Sequence, residues 1–324
     1  MNRRVAITGA TGFIGRHVAA DLVARGTEVR SIVRPGSRHQ PPAGTTLVQA
    51  PLDAAALRAG FSDVDVVVHL AGVVSAVDAR VFTAVNVEGT RAVAAAARDA
   101  GARLVHVSSL AAAGPAPAGA PHREEDPPRP LTPYGRSKLE SERIVNATSG
   151  LRAVILRPGV VYGPTDRAVF PLFQAAQRGI LPLVGRAGAA YTFIHVSDLV
   201  RAILAAVDAM ESDVSGTIFV GHAVPVTAAA LLDAIRPAVG RPARTIRIPM
   251  SVTYAAALAC EAAGRISGRP MPLNLWRYAE MASEGFVCRV DRLRDVLGVT
   301  ASVGLVEGMA QTAAWYREAG WLTR

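Results

Sequence analysis

Tyr134 and Lys138 stand four residues apart, and Lys138 is the one lysine among the 35 basic side chains of the chain. Arginine serves everywhere else for surface charge, so a lone lysine suggests a task that needs a compact ammonium rather than a planar fork. With six tyrosines in 324 residues, a Tyr four positions before that lysine arises by chance roughly once in fifty. An i, i+4 pair lies on one helix face. A phenol with a reference pKa near 10 is a poor acid–base group at neutral pH. Lowering it by about three units takes roughly 4 kcal/mol, which a nearby ammonium and an oxidised nicotinamide could supply together. A third polar group should be a hydroxyl at a strand end, and Ser108-Ser109 follows the apolar run 104–107.

A second constellation opens the chain. Thr8-Gly9-Ala10-Thr11-Gly12-Phe13-Ile14-Gly15 follows an apolar run and precedes an amphipathic stretch. Glycines at this spacing permit a tight turn and let the backbone approach a pyrophosphate seated on a helix N-terminus. The end of the next apolar run, Ser31-Ile32-Val33-Arg34-Pro35-Gly36-Ser37-Arg38, holds no carboxylate for a ribose 2′-hydroxyl. Arg34, helped by Ser37 and Arg38, favours a 2′-phosphate, so the expected cofactor is NADP, with NAD as the alternative. The two cysteines, Cys260 and Cys288, have no ligand-like spacing, and no metal is expected.

These groups need a scaffold. Runs at 5–8, 28–33, 46–49, 64–70, 104–108 and 153–157 are continuous in Val, Ile and Leu, as in strands covered on both faces. Helical stretches at 14–25, 87–100 and 133–148 separate them, the last with Thr132 as N-cap and Pro133 at its first position. The alternation predicts an α/β fold, a doubly wound (Rossmann) mostly parallel sheet, with 217–220 joining its edge. After about residue 223 the rhythm fades. We therefore expect residues 1–165 and 190–222 to form the dinucleotide domain, and 166–189 and 223–324 a smaller, mainly helical substrate lobe.

Composition limits the function classes. The net charge of +9 comes from dispersed arginines without aromatic interleaving, which argues for a solvated basic surface and not a nucleic-acid groove. No segment offers the ~18–20 uncharged apolar residues of a membrane span, and the nearest, 250–260, is too short and is followed by Glu261. The N-terminus turns glycine-rich too early for a signal peptide. A soluble cytoplasmic protein is expected.

The ordered motifs resemble the extended short-chain dehydrogenase/reductase family, the NAD-dependent epimerase/dehydratase superfamily. They are the T-G-x-x-G-x-x-G turn, His69-Leu70-Ala71-Gly72, Asn86-Val87-Glu88-Gly89-Thr90, Ser108-Ser109 and Tyr134-Gly135-Arg136-Ser137-Lys138. Leu156-Arg157-Pro158-Gly159 and Phe193-Ile194-His195-Val196 complete the set. The resemblance implies that Ser109 orients the substrate oxygen, Tyr134 exchanges its proton, and Lys138 holds the nicotinamide ribose and lowers the tyrosine pKa. It implies cofactor contacts from Gly9, Thr11, Gly12, Phe13, Ile14, Arg34, Leu52, Leu70, Ala71, Gly72, Asn86, Ser108, Tyr134, Lys138 and Pro158. Ser108 stands as the alternate serine, His195 as structural, and Asp198 as a helix cap.

Departures narrow the class. Tyr191 stands where nucleotide-sugar enzymes carry a diphosphate-binding arginine. Leu110 and Ala111 replace the Asp-Glu of sugar dehydratases. Pro51, with Asp53 two positions on, replaces the adenine-reading Asp. The remaining pattern is similar to 3β-hydroxysteroid dehydrogenases and dihydroflavonol reductases. Met250, Tyr254, Leu258, Leu275, Trp276, Tyr278 and Met281 are candidates to line an apolar pocket. The expected activity is NAD(P)-dependent hydride transfer between nicotinamide and a secondary alcohol or ketone on an apolar small molecule. An epimerase with retained NAD is the first alternative, and a dinucleotide-sensing protein without chemistry the second. A homodimer is the assembly considered.

Overall fold

The computed structural model describes residues 3–209 and 214–322. In its first half, strands and helices alternate: β1 (Arg4–Thr8), α1 (Phe13–Ala24), β2 (Glu28–Val33), β3 (Thr46–Gln49), α2 (Ala54–Gly60), β4 (Val66–His69), α3 (Ala79–Phe82), α4 (Gly89–Asp99), β5 (Arg103–Val107), α5 (Pro133–Ala147) and β6 (Ala153–Pro158). There follow β7 (Val160–Tyr162), α6 (Phe170–Gln177), β8 (Ile180–Leu183), β9 (Ala190–Tyr191), β10 (Phe193–His195), α7 (Val196–Ala209) and β11 (Gly216–Val220). The chain ends with β12 (Val226–Thr227), α8 (Ala228–Val239), β13 (Arg244–Arg247), α9 (Met250–Ser267), α10 (Leu275–Ala282), β14 (Gly285–Phe286), α11 (Asp291–Leu297) and α12 (Leu305–Glu318).

Seven of these strands form one sheet in the order β11-β6-β5-β4-β1-β2-β3, and every pairing in it is parallel. The fully buried Val66–His69 shows why such strands read as unbroken apolar runs: helices cover both faces. One core face packs Val5, Ile7, Val68 and Val105 against α1 and α7. The other packs Ala6, Val67, Leu104 and Ile155 against α2 and α4. The 217–220 run is the edge strand β11, as expected from the sequence. Strand order reverses between β1 and β4, so their carboxyl ends open the crevice where open α/β sheets bind ligands.

A further core gathers Tyr162, Phe173, Ile235, Met309 and Tyr316 between α6, α8 and α12. Beside it lie short pairings that carry no readable period, β13 with β8 and β9 between β12 and β14. The helix expected at 87–100 begins as a π-helical turn, Thr83–Glu88, which continues into α4. Asp198 does not cap α7. It lies inside the first turn and accepts from Ser302 N and Val303 N, both at 2.9 Å, tying the segment before α12 to the sheet domain.

Candidate active site

Three successive residues at the end of β5 engage three successive turns of α5. Val107 O accepts from Lys138 Nζ at 2.9 Å, the Ser108 hydroxyl donates to Glu142, and the Ser109 hydroxyl faces the Tyr134 phenol. Positions 134, 138 and 142 share one helix face. The helix starts where the sequence places it: Thr132 Oγ1 accepts from Gly135 N at 3.2 Å with Pro133 next. Gly135 sets the closeness, since a Cβ there would lie 2.4 Å from Ala111 O. Ser109 caps the short turn Leu110–Ala112, accepting from Ala111 N at 3.2 Å.

The structure separates the two serines. Ser108 is buried and committed to Glu142, while Ser109 faces Tyr134. Glu142 itself, which the sequence reading passed over, is 3% exposed and holds a bidentate pair with Arg157 at 2.9 and 2.6 Å. Its signal was its place four residues beyond Lys138. Burial lowers the Lys138 pKa to about 8, and the Glu142 carboxylate opposes that shift.

Tyr134 departs from the expectation. Its pKa is raised, first by burial and then by the Glu280 carboxylate, against the Ser109 hydroxyl and the Arg277 guanidinium. Lys138 does not act on it because the ammonium is turned to the end of β5. Glu280, a second residue the sequence reading missed, comes from α10. Burial raises its pKa against the opposing effects of Arg277 and Thr132. Thr132 donates to its carboxylate at 3.4 Å, so α10 touches the first turn of α5. Phe82 links the same two elements, with ring centroids 5.9 Å from Tyr134 and 5.7 Å from Trp276.

The crevice fits a dinucleotide. Gly9 has φ +77°, and a Cβ there would lie 2.7 Å from Ala71 N. No side chain caps the N-terminus of α1 at Gly12, and its first turn holds no acidic residue, leaving the positive end of the helix dipole over the turn Gly9–Gly12. Thr11 belongs to this turn, Phe13 and Ile14 open α1, Leu70 and Ala71 face Gly9 from the end of β4, and Gly72 lies beside the Asn86 amide. Arg34, just after β2, is exposed, and its side chain makes no hydrogen bond or ion pair among the described residues. Leu52 packs beside Gly89, Asp53 caps α2, and Pro158 ends β6. Asn86 is otherwise occupied. Its amide brackets Val73 N and O at 2.8 and 3.0 Å and donates to Ser137 Oγ at 3.0 Å, so it clamps the loop after β4 to the catalytic helix.

His195 bonds Ser197 Oγ at 2.8 Å and packs edge-on to Tyr162, a structural setting. Of the residues expected to line a pocket, Met250 and Tyr278 border a cavity of about 400 Å³ with Arg186, Arg247 and Pro249. Trp276 borders a second, of about 40 Å³. Tyr254 and Leu258 border neither, being 45 and 44% exposed on α9, with Tyr254 edge-on to Tyr278. Among the described residues no cluster of His, Cys, Asp and Glu could hold a metal, and no helix is long and apolar enough to cross a membrane.

Residues 5–221 match the model of the NAD dependent epimerase/dehydratase family. A ceramide reductase of Caulobacter vibrioides is 31% identical over 331 residues, covering 99% of this chain and 96% of that protein. A 2-alkyl-3-oxoalkanoate reductase of Shewanella oneidensis is 28% identical, covering 95% of this chain and 85% of its own. Among solved structures, the Thermus thermophilus UDP-glucose 4-epimerase with NAD superposes at a TM-score of 0.77 with 27% identity, covering 98% of this chain and 99% of that one.

Proposed function

The chain belongs to the NAD dependent epimerase/dehydratase family and is an oxidoreductase, and we propose that it transfers hydride between a nicotinamide and a secondary alcohol or ketone on an apolar substrate. The observation that carries this reading is the Ser109 hydroxyl facing the Tyr134 phenol, on the helix that holds the buried Lys138. The nicotinamide supplies or accepts the hydride. Ser109 and Tyr134 hold the substrate oxygen between them, and Tyr134 gives it a proton as negative charge builds there. The raised pKa of Tyr134 keeps the phenol protonated at neutral pH, the form that reduction of a carbonyl requires. Lys138, anchored by Val107 O and kept charged by Glu142, holds the ribose. Gly9 to Ile14 seat the pyrophosphate, and the unpaired Arg34 favours NADPH. Relatives named as reductases of a ceramide and of a 2-alkyl-3-oxoalkanoate support a substrate with long alkyl chains.

A second reading has its own support. Arg186 and Arg247 border the 400 Å³ cavity without side-chain partners, an arrangement that suits a diphosphate, and solved epimerases share the fold. Tyr191, whose hydroxyl donates to Glu280 O at 3.4 Å, weighs against it.

The test is Tyr134→Phe assayed with NADPH and NADH against long-chain β-keto compounds, ketosteroids and UDP-sugars. The variant should bind cofactor as the wild type does and lose about 10²- to 10⁴-fold in turnover. Turnover within a few-fold of wild type would remove Tyr134 from the chemistry. Conversion of a UDP-sugar on retained NAD, with no net use of NADPH, would move the assignment to the epimerase.

A further inference from the structure

Helix α9 is built inside out. Toward the protein it turns Thr253, Ala257 and Gly264, while Val252, Tyr254, Leu258 and Ile266 are 55, 45, 44 and 89% exposed. The small inward residues let the helix lie close: a Cβ on Gly264 would be 3.1 Å from Arg269 O. Val252, Leu258 and Ile266 therefore add little to the lobe's own packing and lie on an outer face with alanines between them, while Tyr254 also meets Tyr278 edge-on with centroids 5.1 Å apart. No charged residue occurs among the 13 positions 248–260. That length is short of the ~20 residues a span needs, so the face suits lying on an apolar medium and not crossing one.

Charge says which medium. From 241 to 269 the chain carries Arg241, Arg244, Arg247, Arg265 and Arg269 against one carboxylate, Glu261. Glu261 is consumed by Arg265 at 2.6 Å. Arg244 and Arg247 precede the helix on the exposed strand β13, and Arg269 follows it, so guanidinium groups flank the apolar face at both ends. Apolar residues between arginines match an acyl-chain boundary beneath anionic headgroups. The 400 Å³ cavity opens at the same end of the helix, bordered by Arg247, Met250 and Tyr278.

We propose that the outer face of α9 seats the protein on an anionic phospholipid surface, with the adjoining cavity facing that surface to admit an apolar substrate. The surface stands on the geometry of α9 and its arginines. The route for the substrate rests on the apolar-substrate reading above.

The experiment is co-sedimentation of the full chain with phosphatidylcholine vesicles, with and without phosphatidylglycerol, at low and high salt. Partition should be about tenfold or more greater on the anionic vesicles and weaken with salt. The double variant Leu258→Glu/Ile266→Glu should lose about tenfold or more of it, and Arg244→Gln/Arg269→Gln should lose the phosphatidylglycerol dependence. Both should retain NAD(P)H binding, which shows that they fold. No partition by the wild type, or partition unchanged in both variants, overturns the proposal. Dissociation of a wild-type dimer by the α9 variant without vesicle binding also overturns it and gives the face to a second copy of the chain. None of these outcomes depends on turnover, so they are separate from failure of the Tyr134 test.

Discussion

Ser108 and Ser109 are adjacent and chemically identical, yet the end of β5 gives them different partners, and that difference can be measured. Ser108 donates into the buried Glu142 carboxylate, so Ser108→Ala removes one donor from a charge that is 3% exposed. Leaving a buried acceptor short of a donor costs about 1–3 kcal/mol. Ser109 meets the phenol and would meet the substrate oxygen. We expect Ser109→Ala to lower kcat by about 10²-fold or more, with only the modest fall in urea midpoint that loss of its cap on Ala111 N brings. Ser108→Ala should do the reverse, lowering the midpoint and leaving kcat within a few-fold. Equal losses of kcat in both variants would remove the distinction. The sequence presented both hydroxyls, and only the family resemblance ranked Ser109 above Ser108, because the physical choice depends on Glu142, whose partner Arg157 is 15 residues away on β6.

At the level of elements, the dinucleotide crevice depends on how closely α1 approaches β1. A Cβ on Gly15 would lie 2.1 Å from Gly9 O, a contact with backbone that no rotamer can relieve. Gly15→Ala should push α1 off the strand end, cost about 1–3 kcal/mol of stability and weaken NAD(P)H binding about tenfold or more. Fluorescence titration of NADPH checks this, and unchanged affinity would mean that the turn does not hold the pyrophosphate. The glycine turn was legible because its spacing is a backbone requirement written into residue type. The central strands were legible for a similar reason, since burial on both faces leaves the unbroken Val run of β4, and the bounds 28–33 and 46–49 match β2 and β3 residue for residue although β3 is an exposed edge. The π-helical turn at Thr83–Glu88 was not legible, since Asn86 reaches Val73 by a local register change that leaves no compositional mark. The outward face of α9 was hidden too, because apolar periodicity tells which residues share a face and not which way that face turns.

For the molecule as a whole, pH dependence should come from the centre of the sheet. His69 and His106 are register partners on β4 and β5, stacked with centroids 5.3 Å apart. Thr90 spends its hydroxyl proton on Asn86 O, so His69 Nε2 donates to Thr90 at 3.0 Å, and its Nδ1 accepts from Thr8 at 2.6 Å. Ser141 likewise donates to Lys138 O, so His106 Nε2 donates to Ser141 at 3.0 Å. Both rings are held neutral. Burial, with the Lys138 charge behind it, lowers the His69 pKa from 6.5 to about 3, and His106 is lowered well below its ordinary value by the same causes and by His69. The unfolded chain therefore binds more protons than the folded one from pH 6.5 downward, and stability falls as pH drops through that window toward 3. Through His69 alone the loss is about 2 kcal/mol near pH 5 and on the order of 4–5 kcal/mol near pH 3. Lys138 acts on the opposite flank. Its folded pKa of about 8 lies below the ordinary 10.5, so the cost of the buried ammonium is fully present below 8 and is relieved as pH rises toward 10.5. Stability should rise there while turnover falls, since the neutral amine no longer supplies charge to the site. Urea unfolding from about pH 4 to about pH 10 tests both flanks against background titration, using His69→Gln/His106→Gln for the acid side and Lys138→Met for the alkaline side. The histidine variant should flatten the acid limb and leave the alkaline one in place, whereas Lys138→Met should flatten the alkaline limb and make the acid limb shallower, since its charge adds to the lowering of both histidines. Curves parallel to wild type across both limbs would mean that these three buried groups do not set the pH range in which the protein stays folded.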